Sequence, residues 1–248
     1  RYTPVEVMRT LRKASRHCYL LESASQTEVW GRYSFLGYEP VMEITCTDGY
    51  MKIRHTEVGN DEVVTKQVAH PGDTLREILK EYKSPVMEEM PPFTGGLVGY
   101  FSYDYIKYSE PKLKLGEHED PDFRDMDLML FDQVIAFDHY RQKVLLITGV
   151  MLDDLEKSYQ KAEKKLQEMA DLIRDGEKEE FPSLKLASEI KPQFPKEKYC
   201  DMVEKAKHYI HEGDIFQVVL SNPMRAKAEG SLFDTYRVLR ATNPSPYM

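Results

Sequence analysis

The chain has 248 residues, enough for one large or two modest domains, and 41% of them are hydrophobic, enough for a buried core. Thirty-four Lys and Arg residues stand against 42 Asp and Glu, a net charge of −8 without a clustered basic stripe, so the electrostatic footprint of a nucleic-acid binder is absent. No apolar run approaches the ~18 residues of a membrane helix, and the N-terminus RYTPVEVMRTLRK lacks the apolar stretch of a signal peptide, so no membrane partner is expected and the expected compartment is the cytoplasm.

In chain order, Thr3-Pro4-Val5-Glu6 is a capping box with Pro at the first helical position, which predicts a helix from Pro4 to about His17 with Val5, Met8 and Leu11 on its apolar face. From Cys18 to Gly149 the signals are mostly those of strands. They are Cys18–Ser23, Tyr33–Cys46, Tyr50–Val58 after a Thr47-Asp48-Gly49 turn, Phe93–Ile106, and Met126–Phe137 paired with Lys143–Val150 across Asp138–Gln142. One helix, Thr74–Tyr82, interrupts them. Many strands with sparse helices predict an α+β fold of mainly antiparallel, sandwich-like sheets with flanking helices, and argue against alternating βαβ units.

Leu152–Asp175 reads as a long helix with Leu155, Tyr159, Ala162, Leu166, Met169 and Ile173 on one stripe and Gly176 at its end. The polar, proline-containing stretch after it reads as a solvated linker, which divides the chain into a domain at 1–180, a linker at 181–195 and a second domain from 196 to 248. That second part is predicted as a helix over Pro195–Glu212, with Tyr199, Met202, Val203, Ala206, Tyr209 and Ile210 inward and Gly213 as the stop. A strand over Asp214–Ala228 and a helix from the Ser231-Leu232-Phe233-Asp234 capping box to about Thr242 follow. Helix, strand, helix and an abrupt stop read as a domain whose C-terminal part is missing.

The usual catalytic constellations are mostly absent. His208 and His211 share a helix face without a third ligand at suitable spacing, and read as a surface pair. His118, within Glu117-His118-Glu119-Asp120, reads as part of a solvated loop. Gly95-Gly96-Leu97-Val98-Gly99 lacks the Lys-Ser/Thr ending of a phosphate loop and reads as close backbone approach inside a sheet. Tyr100, Phe101, Tyr103, Tyr105 and Tyr108 carry no interleaved basic residues and read as a half-buried strand face. Cys18, Cys46 and Cys200 are few, odd in number and far apart, which fits reduced thiols. Gln217 is a polar residue in an apolar strand and, if buried, needs a hydrogen-bond partner.

Gly213-Asp214-Ile215-Phe216-Gln217-Val218-Val219-Leu220-Ser221 resembles a segment of the chorismate-utilising enzymes. LLES at Leu20–Ser23, WGRYSFLG at Trp30–Gly37, GGLVGYFSYD at Gly95–Asp104, FDQVIAFDH at Phe131–His139 and NPSPYM at Asn243–Met248 recur, in that order, in the anthranilate synthase component I family. The resemblance runs from about Cys18 to Met248. It implies an N-terminal regulatory part with an allosteric L-tryptophan site and a C-terminal chorismate-binding domain. There chorismate and ammonia become anthranilate and pyruvate with Mg²⁺ present, the ammonia coming from a glutamine amidotransferase subunit.

The same resemblance implies that Ser23, Pro246, Tyr247 and Met248 line the tryptophan pocket, with Glu22, Tyr33, Ser34 and Asn243 as neighbours. The residue types suit an amino-acid ligand, which needs acceptors for its ammonium, donors for its carboxylate and an apolar slot for its ring. Pro244 and Pro246 are expected to hold Asn243–Met248 extended, and the pocket is expected to bridge the two domains. The catalytic residues and Mg²⁺ ligands of that family are expected beyond Met248, so none is assigned within the chain. Two alternatives remain open from the residues: aminodeoxychorismate synthase component I, and a non-catalytic amino-acid-binding module.

Overall fold

A computed structural model of the chain describes residues 2–23, 31–56, 62–113, 115 and 123–248. Two compact units emerge: residues 1–180 together with 243–248, and residues 181–242. The elements of the first unit are α1 (Pro4–Ala14), β1 (Cys18–Leu21), β2 (Tyr33–Tyr38), β3 (Met42–Thr47), β4 (Tyr50–His55), β5 (Val63–Gln67), α2 (Pro71–Glu81), β6 (Gly96–Phe101), β7 (Met126–Phe131), β8 (Gln133–Asp138), β9 (Lys143–Thr148) and α3 (Leu155–Asp175). The α+β class expected from the sequence is the one found. The Glu117–Asp120 cluster lies outside the described residues.

The strands form two antiparallel sheets, of order β1-β2-β8-β9 and β5-β4-β3-β7-β6. Two segments that read as single strands, Tyr33–Cys46 and Met126–Phe137, are each two strands in different sheets. The breaks fall at Glu39–Val41 and at Asp132. Because β2 pairs with β8 and β3 with β7, the two segments bend together as one ribbon. Two bonds seal the corner: the Val41 N–H donates to the Leu130 carbonyl (2.8 Å), and the Gln133 amide donates to the Tyr38 carbonyl (3.0 Å). Only the short polar interruptions Glu39-Pro40 and Asp132 mark the bend in the sequence, and strand-forming residues resume directly after each, so each run reads as one strand.

Each face of each sheet has a cover. Leu36, Tyr38, Ile135 and Phe137 of the first sheet pack on Val7 and Leu11 of α1 and on Met169 of α3. Val7, rather than the expected Val5, is the buried valine of α1, whose N-cap Thr3 accepts the Glu6 N–H through its side chain. The other face of the first sheet meets the second through Tyr19, Phe35, Phe131, Val134, Ala136 and Ile147. Met42, Ile44, Met51, Met126, Leu128 and Leu130 of the second sheet are covered by Leu75 and Ile78 of α2. On α3 only Ala162 and Met169 are fully buried, and Leu155 and Tyr159 at its start are exposed. Gly99 sits at φ 156, where an added Cβ would collide with the Asp127 carbonyl; this is the close approach read from the glycine run.

The second unit contains β10 (Lys185–Leu186), β11 (Lys191–Pro192), α4 (Lys196–Glu212), β12 (Met224–Arg225), β13 (Ala228–Glu229) and α5 (Phe233–Thr242). The stretch read as a linker is exposed, yet it carries β10 and β11, which pair with β13 and β12. The strand expected over Asp214–Ala228 is reduced to β12 and β13. A strand needs a hydrogen-bonded neighbour, and among the described residues no strand pairs with 214–221. Gln217 is accordingly exposed, and the inward face expected for α4 is only half covered. Cys18, Cys46 and Cys200 are free thiols.

A buried polar cluster fastens the β3–β4 hairpin to the second sheet. Asp48 and Gly49 both have positive φ (51 and 79), the two-residue turn whose twist matches antiparallel strands. Fully buried Asp125 accepts the Asp48 N–H (2.8 Å) and the Tyr108 hydroxyl (2.6 Å), and pairs with Lys107 (2.8 Å). The Tyr108 hydroxyl accepts the Gly49 N–H (2.7 Å). Burial opposes ionisation of Asp125, but Lys107, Tyr108 and the Asp48 N–H outweigh it and hold the carboxyl below its ordinary value. Asp125→Ala, which leaves the Tyr108 hydroxyl and the Asp48 N–H without their acceptor and Lys107 with Asp48 (2.6 Å) as its remaining carboxylate, is expected to lower the unfolding free energy by about 2–3 kcal/mol, and Tyr108→Phe by about 1–2 kcal/mol. In the Asp125→Ala background Tyr108→Phe should cost less than it does alone, as read from urea denaturation of the four proteins.

Candidate functional site

β1 is an edge strand, and its C-terminal end runs into Glu22 and Ser23, both buried at 1% and 5% exposure. An edge strand offers unpaired N–H and C=O groups on its outer side. Met248 takes them: the Glu22 N–H donates to the Met248 carbonyl (2.9 Å) and the Met248 N–H donates to the Glu22 carbonyl (2.8 Å). This reciprocal bonding is that of a hydrogen-bonded antiparallel pair, made between residues more than 200 positions apart.

Tyr247 lies at φ 53, so Asn243–Met248 is not extended throughout as the prolines suggested. Pro246 ahead of a residue at positive φ is the arrangement of a tight turn, and it aims the backbone of Met248 at Glu22. The Tyr247 ring packs on Phe35, with centroids 6.1 Å apart at 31°. Phe35 also lies beside Tyr33 (5.8 Å, 27°) and meets the edge of Phe93 (5.6 Å, 76°). Tyr247 is 46% exposed, so only part of its ring is covered. Asn243 and Pro246 are exposed on the same short segment.

The predicted residues do not share one face. Tyr33 and Phe35 point between the sheets, whereas Ser34 shares the face of Leu36 and Phe137, toward α1 and α3. Fully buried Ser34 is engaged there by His139, its Oγ 2.7 Å from Nε2. Tyr33, Tyr247, Ser23 and the Glu22–Met248 pair thus make up the candidate cleft, with Phe35 buried beneath Tyr247 and Ser34 behind it. Both peptides belong to the first compact unit, so the cleft is internal to that unit and does not require the second. Phe35, Phe93 and His139 were not anticipated, because each reads as an ordinary strand or turn residue until the register is known.

The mouth of β2 is braced by charge. Arg32 donates from Nε and Nη2 to the two carboxylate oxygens of Asp138 (3.1 and 2.6 Å), which is 4% exposed. Its guanidinium lies over Tyr33 (4.8 Å to the ring centre) and near Tyr140 (5.6 Å). The Tyr140 and Arg141 N–H groups also donate to Asp138, at 3.1 and 2.9 Å. The Arg32 bonds chiefly, with those N–H groups, hold the Asp138 carboxyl below its usual range.

The family described as chorismate binding enzyme matches residues 16–248. The chain belongs to that family. It is 34% identical over 254 residues to anthranilate synthase component 1 of Acinetobacter calcoaceticus, covering 99% of this chain and 49% of the relative. Aminodeoxychorismate synthase component 1 of Bacillus subtilis is 33% identical over 249 residues, 96% of this chain and 48% of the relative. The crystal structure of anthranilate synthase component I from Streptococcus pneumoniae TIGR4 superposes with a TM-score of 0.68 at 32% identity, over 86% of this chain and 46% of that one. The chain therefore spans about half the length of the curated relatives it matches.

Because the folded-state pKa of Asp138 is depressed, its contribution to stability is present above the unfolded value near 3.9 and is lost as pH falls through the folded one. Asp138→Asn is expected to lower stability at pH 7 by about 1–3 kcal/mol. It should also shrink the difference in denaturation midpoint between pH 7 and pH 3 relative to the parent protein, measured by chemical denaturation at the two values.

Proposed function

We propose that the chain is the regulatory portion, with the beginning of the catalytic domain, of an anthranilate synthase component I. That enzyme converts chorismate and ammonia to anthranilate and pyruvate and is inhibited by L-tryptophan held in the Ser23–Met248 cleft. The observation that carries the reading is the reciprocal Glu22–Met248 pair, which brings the two peptides of the resemblance together on one edge. The likeness to anthranilate synthase component 1 over 99% of the chain supports the choice of enzyme.

The cleft has the complement an aromatic amino acid requires. Carbonyls around the Pro246–Tyr247 turn accept from the ammonium, the Ser23 hydroxyl donates to the carboxylate, and Tyr33, Tyr247 and the Met248 side chain wall the ring. A few placed polar groups in an apolar slot set orientation and selectivity. No residue of this chain is assigned to the chemical step. Mg²⁺ and the glutamine amidotransferase subunit belong to the complete enzyme, whose metal ligands are expected beyond Met248, and its compartment is expected to be the cytoplasm.

A second reading has its own support. The Bacillus subtilis relative acts in the synthesis of aminodeoxychorismate, by its name, and matches almost as well. The two are separated by product: the complete enzyme supplied with chorismate, ammonia and Mg²⁺ is expected to release fluorescent anthranilate and pyruvate, and accumulation of 4-amino-4-deoxychorismate instead would decide for the alternative. In the same assay Ser23→Leu is expected to raise the tryptophan concentration for half-inhibition more than about tenfold (at least ~1.4 kcal/mol) with uninhibited turnover retained. Unchanged sensitivity to tryptophan would remove the cleft from the proposal.

A further inference from the structure

Tyr247 occupies a backbone conformation that a non-glycine residue adopts at a cost and keeps only where its surroundings hold it. Two restraints act on it. Downstream, Met248 is clipped to Glu22 by both backbone hydrogen bonds. At the side chain, its ring rests on Phe35. The clip fixes where the chain goes next, but it leaves the rotation of the Tyr247 side chain free. Phe35 alone among the named contacts restricts the ring itself.

Phe35 is well placed to do so. It is 2% exposed, so it presents almost no surface to a ligand, and it sits in the inter-sheet core. Phe93 braces its ring edge-on at 5.6 Å, and Phe93 in turn meets Tyr19 at 6.3 Å, edge-on as well. The interlocked rings tie Tyr247, 46% exposed at the cleft, to the packed interior of the sandwich. Such packed interiors resist displacement, and aromatic pairs add geometry-dependent attraction to the burial of area.

We propose that Phe35 is the positioning residue of the inhibitor cleft, acting through Tyr247: it sets the orientation of the Tyr247 ring and thereby the width of the slot that receives an aromatic side chain. The inference rests on reading the Ser23–Met248 cleft as a tryptophan site. It adds a residue that contacts no ligand and to which the resemblance, although it includes Phe35 within Trp30–Gly37, assigns no role.

The test is a double-mutant cycle read by calorimetric titration of L-tryptophan into the parent protein, Phe35→Leu, Tyr247→Ala and the double variant, with thermal melting by circular dichroism as the control for folding. Phe35→Leu is expected to weaken binding about threefold to tenfold, the scale of one aromatic pair. In the Tyr247→Ala background the same change should leave affinity nearly unaltered, because Phe35 then has no ring to orient. A general loosening of the core would instead weaken binding equally in both backgrounds, and that additive result overturns the proposal. So does unchanged affinity of Phe35→Leu. Should Phe35→Leu fail to fold, Phe35→Met, which fills a similar volume with a flexible chain, takes its place under the same criteria. Absence of tryptophan binding by the parent protein removes the site reading itself, whereas binding that is indifferent to Phe35 removes only the positioning role.

Discussion

The first unit depends on one bent ribbon. Its two antiparallel segments, Tyr33–Thr47 and Met126–Asp138, each start in one sheet and finish in the other, so a single pair of strands belongs to both layers of the sandwich. A β-ribbon that turns a corner must reorganise its hydrogen bonds there. Here Glu39 adopts φ 48, the Val41 N–H reaches Leu130, and buried Gln133 donates to Tyr38. Asp132 steps out of the ladder, pairs with Lys165 of α3 (2.8 Å), and accepts the Gly149 N–H through its carbonyl (2.8 Å). With the corner fixed, α1 and α3 can cover the first sheet, α2 the second, and the aromatic residues fill the space between.

The candidate cleft follows from the same arrangement. Because β2 and β8 are central strands of the first sheet, β1 is left at its edge, and the end of β1 is where unpaired backbone groups remain available. Met248 pairs with Glu22 there by two main-chain bonds, a mode of attachment that depends little on side-chain identity. Selectivity is then left to what projects around the pair. Strand alternation sends Tyr33 and Phe35 toward the inter-sheet core and Ser34 to the other side, where His139 holds it. The bidentate Arg32–Asp138 pair braces the start of β2 from the adjacent turn. Residues 243–248 follow directly on α5 in the chain.

Much of the local structure was legible. Thr3 caps α1 by accepting the Glu6 N–H, and Ser231 accepts the Phe233 N–H at the start of α5, since a side-chain oxygen beside orphan N–H groups is a short-range interaction that sequence encodes directly. The Asp48-Gly49 turn was legible for a similar reason, as few residues tolerate two successive positive φ values. The corner was not legible: Glu39-Pro40 and Asp132 interrupt runs whose residues are apolar on both sides. β5 escaped notice because Val63–Gln67 is a short, largely exposed edge strand held mainly by its pairing with β4. The apolar run after Gly213 was read as a strand, but Phe216 and Val219 stand 92% and 84% exposed, because β propensity without a paired neighbour does not make a ladder.

The sequence by itself determined the α+β class, the starts of α1 and α4, the hairpin turns and, through the order of its motifs, membership in the chorismate-binding enzymes. These rest on periodicity, capping and turn chemistry, which act over a few residues, and on motif identity. Tertiary structure alone decided that Glu22 and Met248 are neighbours, that Ser34 lies behind the cleft rather than in it, and that Phe35 underlies Tyr247. Each of those depends on strand register, and a shift of one residue moves every side chain to the opposite face of the sheet. Register in turn is set by the corner of the ribbon, where contacts between residues about ninety positions apart decide what neighbouring residues cannot.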